Sequence, residues 1–339
     1  MKRILSLFAL SLLACPTSAA PTINGILDFE YGGPLAVQSV ETGFGDSTGG
    51  LTSGGELDAG YAVIDGARLY VMLTGNIENN FNKVSVFIDS VPGGENVLTN
   101  TPQYDFNNVS QNFGGLTFDS GFAADYHLFG RWGGGNGNTF EVDIANRSGG
   151  GNASVNVNGA AASLGAGMPI QVGVINPGNN GMNNLGNRVL TGFLNNPLNF
   201  SFNNNNSGGI DECNTPAMSG CQAANVPAAL AVTTGFEFAI SLADLGNPAP
   251  GSQIKIHAAY GNGDNNFLSN QTLSGLPTGT GNLGGNGSGG FTGTLSGVNF
   301  NSFAGNQYFV ITVPVPEPAS SALLALTLLT IGGSQRRRT

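Results

Sequence analysis

Two histidines, His127 and His257, three cysteines and one tryptophan are the scarce reactive side chains of this 339-residue sequence. A three-histidine zinc centre is excluded by count, and neither histidine stands in a His-Glu-x-x-His context. Gly45 to Gly49, GDSTG, spells the Gly-x-Ser-x-Gly of a nucleophile elbow. That elbow needs a strand entering, a helix leaving and a histidine base. Here more glycine follows and both histidines lie in strand-like segments, so Ser47 reads as a loop serine. Gly279 to Gly284, GTGNLG, matches Gly-x-Gly-x-x-Gly without a hydrophobic strand before it or a helix after it, and 54 glycines make chance sufficient. Paired carboxylates for glycoside hydrolysis have no local signature that would single them out. A hydrolase is therefore the least supported reading, and no residue stands out as catalytic.

Three clusters offer gentler chemistry. Cys213 and Cys221, in DECNTPAMSGC, are separated by a Pro- and Gly-containing loop and read as a local disulfide of an oxidising compartment. A metal site there would want a second cysteine pair or a nearby histidine. The turn IDSVPGGEN sets Asp89, Glu95 and Asn96 at its mouth, oxygen donors of the kind a calcium ion takes, although a solvated hairpin turn needs no ion. Structural calcium is the one cofactor that this pattern suggests. Trp132 follows Arg131 at the edge of a Gly-rich loop, and with Tyr126 and Tyr104 it could stack on sugar C–H faces; the alternative is a place in the core.

The elements that would carry these residues are strands. ARLYVMLTGNI (Ala67 to Ile77) and NKVSVFIDS (Asn82 to Ser90) are β-branched and aromatic, and ENNF between them suggests antiparallel neighbours. DYHLFGRW and NTFEVDIAN flank Gly133 to Gly137 as a second hairpin. ASVNVNG, IQVGVIN, NRVLTGFLN, GFEFAISL, SQIKIHAAY and NQYFVITV continue the series, and SLADLG reads as a helical turn stopped by Gly246. NNPLNFSFNNNNSGGIDECN and LPTGTGNLGGNGSGGFTGT read as long surface loops. The expected fold is all-β: one antiparallel, jelly-roll-like β-sandwich with long Gly/Asn-rich loops over residues 21–313. With 40% hydrophobic residues, 21 of them Phe, such a chain can fill a core although only 9% of it is charged.

Both ends look like addresses. Lys2 and Arg3 precede an apolar run from Ile4 to Ala14 and small residues after it, the layout of a secretory signal over residues 1–19. Leu12-Leu13-Ala14-Cys15 also spells a lipobox, with Pro16 against it. Between the ends remain six basic and twenty acidic side chains, a net charge near −14. Phosphate neutralisation needs clustered Lys and Arg, so nucleic acid is excluded as a partner. At the other end, Ala319 to Gly333 would form about 22 Å of helix at roughly 1.5 Å per residue. That is short of a hydrocarbon core of about 30 Å.

Pro316, Glu317 and Pro318, the apolar run, and then Arg336, Arg337 and Arg338 as stop-transfer charges follow in the order of a PEP-CTERM sorting signal of Gram-negative bacteria, which residues 314–339 resemble. The resemblance implies transient insertion in the inner membrane through a short transmembrane helix, processing by an exosortase-type enzyme, and release or attachment at the cell surface. PTINGILDFEYGGPLAV, LYVMLTGNI, VSVFIDSVPGGEN and FEFAISLADLG are similar to the jelly-roll sandwiches of family 9 carbohydrate-binding modules and DOMON-like domains. The combined expectation is an exported, non-enzymatic structural protein of the cell surface or extracellular matrix. The alternative is a polysaccharide-binding module with extracellular polysaccharide as its partner.

Overall fold

The computed structural model describes residues 19–44, 54–100, 106–133, 139–148, 152–158, 171–178, 192–206, 208–213 and 220–315. Among them, thirteen strands make two antiparallel sheets. The first contains β1 (Ala36–Val37), β2 (Glu56–Asp65), β3 (Arg68–Asn76), β8 (Gln171–Ile175), β9 (Leu198–Phe202) and β10 (Gly235–Ser241), ordered β1-β2-β3-β10-β9-β8. The second contains β4 (Lys83–Asp89), β5 (Tyr126–Gly133), β6 (Thr139–Asn146), β7 (Asn152–Asn158), β11 (Gln253–Gly261), β12 (Leu268–Leu273) and β13 (Phe309–Thr312). Its order is β12-β11-β4-β5-β6-β7, with β13 also on β11.

Alternation along the strands builds the interior between the sheets. Val84, Val86 and Ile88 of β4, Leu128 and Trp132 of β5, and Phe140, Val142 and Ile144 of β6 share one cluster with Val71, Leu73, Phe200, Phe202, Phe236 and Phe238 of the first sheet. Period-two side chains on two sheets interdigitate in this way, which makes the architecture the β-sandwich expected from the strand pattern. The turn after Asp65, with Gly66 at φ 57°, closes β2 on β3 and sets Asp65 opposite Arg68.

The other face of the second sheet is buried as well. Phe87 of β4 and Ala259 of β11 lie in a second cluster with Leu98, Phe113, Leu116, Phe118 and Phe122 from the segment after β4. Leu276, Leu283, Leu295, Val298 and Phe300 from the segment after β12 complete it. Irregular chain thus forms a third layer. The Gly-rich stretch 276–294, expected as surface decoration, contributes Leu276 and Leu283 at 2% and 0% exposure. Its leucines are spaced too widely for a strand or helix period, which hides their common target.

Two further expectations differ from the structure. The stretches 67–77 and 82–90 do form strands, but β3 pairs with β2 and β10 while β4 pairs with β11 and β5. The connection between them crosses from one sheet to the other. The Asn-rich stretch 195–214, read as a loop, contains β9, whose Leu198, Phe200 and Phe202 alternate into the core. Strand β12 and the one α-helix among the described residues, α1 (Val226–Ala231), capped by Asn225, carry no periodic apolar signal. SLADLG forms hydrogen-bonded turns ending at Gly246, φ 80°. No helix among the described residues is long and apolar enough to cross a membrane. The tail Pro316 to Thr339 lies outside the described residues, as do residues 1–18 with Cys15, and GDSTG.

Candidate functional site

Near the end of the β3–β4 crossover stands Phe81, one of three non-glycine residues with positive φ among the described residues, at 68°. A bulky residue is disfavoured in that region, because its Cβ crowds the following carbonyl. The other two, Asn247 and Asn265, are of the type that tolerates it. Phe81 is held there by its N–H, which donates to the Trp132 carbonyl at 2.8 Å, and its ring stays 37% exposed. Gly133 lies against the ring, since a Cβ there would meet it at 2.6 Å. The Arg131 guanidinium lies 5.3 Å from the ring centroid.

A cleft of about 420 Å³ opens beside this ring, bordered by Asn80, Arg131, Asn262, Gly263 and Asp264. Three elements meet there: the start of β4, the end of β5 and the turn after β11. Each polar wall is set by a local reason. Arg131 donates through Nε to Glu141 at 2.7 Å, across the β5–β6 register. Asn262 Oδ1 accepts from the N–H groups of Asn266 and Phe267 at 3.0 and 3.1 Å, which folds the turn. Asn80 Oδ1 accepts from Asn82 N–H at 2.9 Å. Asp264 is exposed. An aromatic face beside amides, a guanidinium and a carboxylate suits a neutral polyhydroxyl ligand, with apolar C–H faces for the ring and hydroxyls for the polar groups.

The expected ligand-binding aromatics lie elsewhere or inward. Trp132 is 2% exposed and Tyr126 5%, both in the cluster between the sheets. The β5 alternation that sends Arg131 to the outer face sends Trp132 inward. Burial and the nearby Asp125 and Asp244 charges push the Tyr126 phenol up to about 12. Tyr104 lies outside the described residues. Phe81, hydrogen-bonded to the Trp132 backbone, is the ring at this rim, and only its tertiary placement distinguishes it from other Phe residues.

The Asp89, Glu95 and Asn96 side chains each have partners within the fold. Asp89 accepts from Lys255 Nζ at 2.9 Å and from Ala123 N–H at 3.1 Å. Glu95 accepts from Arg147 Nε at 2.6 Å. Asn96 Nδ2 donates to the carbonyls of Asp119 and Phe122, at 2.8 and 2.7 Å. Among the described residues, no group of three or more His, Cys, Asp or Glu is placed to hold a metal ion. Cys213 and Cys221 are disulfide-bonded, with Cα atoms 4.9 Å apart, and both are buried in the second cluster.

Both histidines project from the outer face of the second sheet beneath the irregular layer. His127 stacks on Phe87 at 4.1 Å between ring centroids. His257 Nδ1 lies 2.6 Å from the Gln307 carbonyl, which can only accept, so that nitrogen carries the proton. Burial lowers the His257 imidazole to about 4. It lowers His127 well below the ordinary histidine range, helped by the Arg147 and Lys83 charges. Each therefore serves as a neutral packing residue.

No protein-family model, no curated protein and no solved structure matches the chain.

Proposed function

We propose that the chain is an exported, non-enzymatic protein of the cell surface or extracellular matrix, processed at its C-terminal segment by an exosortase-type enzyme. The order of Pro316-Glu317-Pro318, apolar run and arginine cluster carries this reading, since each part has its own mechanical task. The apolar run, about 22 Å long as a helix, would hold the chain briefly in the bilayer. The arginines would stop it on the cytoplasmic side and leave the Pro-Glu-Pro within reach of a membrane enzyme. The acidic middle, near −14, keeps a released chain soluble.

Intact-mass analysis of native material tests it. The expected mass lacks the leader and ends near Pro316 to Pro318, and a Pro316→Ala/Glu317→Ala variant accumulates in the inner membrane at unprocessed mass. Full-length native protein, with an unchanged distribution of the variant, would overturn it.

A second reading, polysaccharide binding by the sandwich, is favoured by one observation: the Phe81 ring, on a disfavoured backbone, at the mouth of a polar-walled cleft. In that reading the surface protein is also a tether, and extracellular polysaccharide is its partner.

A further inference from the structure

The cleft beside Phe81 has four polar side chains on its walls, and three of them are engaged within the fold. Asn80 Oδ1 accepts from Asn82 N–H, and its Nδ2 donates to Glu78 Oε2 at 3.1 Å. Asn262 Oδ1 accepts from two N–H groups of its own turn, and its Nδ2 donates to Asn266 Oδ1 at 2.6 Å. The Arg131 guanidinium is paired with Glu141. Asp264 differs. Its backbone carbonyl accepts from Asn112 Nδ2 at 2.8 Å, while its exposed carboxylate meets no donor or cation among the described residues.

The turn that carries this carboxylate is fixed against the aromatic ring's backbone. A Cβ on Gly263 would meet the Phe81 carbonyl oxygen at 2.9 Å, so glycine lets the turn come that close. Asn265 N–H donates to the Asn262 carbonyl at 3.2 Å and closes the turn, and the Asn112 bond ties it to the segment after β4. A carboxylate held in one place beside an exposed ring is a recognition element rather than a freely moving surface charge.

The charges around the cleft decide what it can recognise. Arg131 and Glu141 offset each other, and Lys83, opposite Arg131 in the β4–β5 register, is 1% exposed over Phe129. Asp264, with Glu78 behind Asn80, leaves the opening negative. A carboxylated or sulfated ligand meets repulsion there. A neutral sugar ring fits the Phe81 face and the walls. One that carries an ammonium fits better, because a charge-assisted hydrogen bond is roughly twice as strong as a neutral one. An equatorial amine leaves a sugar ring sideways, so stacking on Phe81 directs it toward the wall.

On the polysaccharide-binding reading, from which this follows, we infer that the cleft receives an amino-sugar unit, its C–H face on Phe81 and its ammonium on Asp264. The polymer held is then a de-N-acetylated polysaccharide.

Titration calorimetry of the full chain tests this with a β-1,4-linked glucosamine hexamer and its N-acetylated counterpart, at about pH 6 and about 0.15 M salt. The parent is expected to bind the glucosamine hexamer about three- to fivefold more tightly, the range open to an exposed ion pair. Asp264→Asn should bring the two affinities together. Asp65→Asn removes the same charge from the β2–β3 turn, at the opposite end of β3, and should keep the preference. Equal affinities in the parent, a preference that Asp264→Asn retains, or one that Asp65→Asn also loses would overturn the amino-sugar assignment. So would binding of neither hexamer while a pull-down still captures another polysaccharide, and the polysaccharide-binding reading would then stand. Capture by no polysaccharide at all would remove both.

Discussion

Phe81 holds a backbone conformation that most side chains avoid, and its ring is 37% exposed, so its burial does not explain its retention there. If the ring exists to meet a ligand, Phe81→Gly should leave stability within about 1 kcal/mol of the parent, because relief of strain offsets lost packing and added chain entropy. The same variant should bind insoluble polysaccharide at least about tenfold more weakly in a pull-down. Loss of stability with undiminished binding would return Phe81 to a structural role. Individual asparagines also give the Asn-rich composition a meaning. Asn270 Nδ2 donates to the Glu41 and Thr280 carbonyls at 2.8 and 2.9 Å, while its Oδ1 accepts from Gly43 N–H at 2.8 Å. Asn204 accepts from Ile77 N–H at 3.0 Å. Buried amides satisfy the backbone of irregular chain where no strand can, as buried polar backbone requires.

Among the strands, β4, β5, β10 and β11 alternate strongly and match those expected from their sequences, to within one or two residues. β9 is hidden because its Leu, Phe, Phe alternation sits among asparagines that read as turn formers. The expected pairing of β3 with β4 does not form, for another reason: a short connection permits a hairpin but equally permits a step between sheets, and only the available partners choose between them. The disulfide acts on the same local elements. It closes a short loop, with a sequence separation of 8, and joins the wall of the second cluster. Chain-entropy arguments give such a bridge about 2.5 kcal/mol. A Cys213→Ser/Cys221→Ser variant should lose about that much in urea unfolding, and an unchanged transition would mean that the bridge adds nothing to the folded state.

For the molecule as a unit, the third layer sets the response to acid. His127 and His257 lie beneath it with imidazoles lowered by burial, His257 to about 4. A histidine lowered in the folded state binds more protons when unfolded, so its contribution is complete above the ordinary value of 6.5 and is lost as pH falls toward about 4. Asp119 and Glu237 act in the opposite sense, because burial raises their carboxyls and the folded state then holds protons more readily. The melting midpoint is expected to fall between about pH 7 and pH 5, before those acids compensate. A His127→Phe/His257→Phe variant should flatten that slope whatever its absolute midpoint, and a parent slope of zero would mean that the layer opens to water.

The strand-rich class and the acidic balance are legible in the chain alone, because period-two alternation and composition are local properties. Folding in three dimensions is what turns Trp132 inward while Phe81 stands at a cleft, roofs a second core with irregular chain, and brings Asp264 to the same cleft as Phe81. Each of these depends on which distant segments approach one another, and residues without a period of their own carry no trace of the partner that buries them.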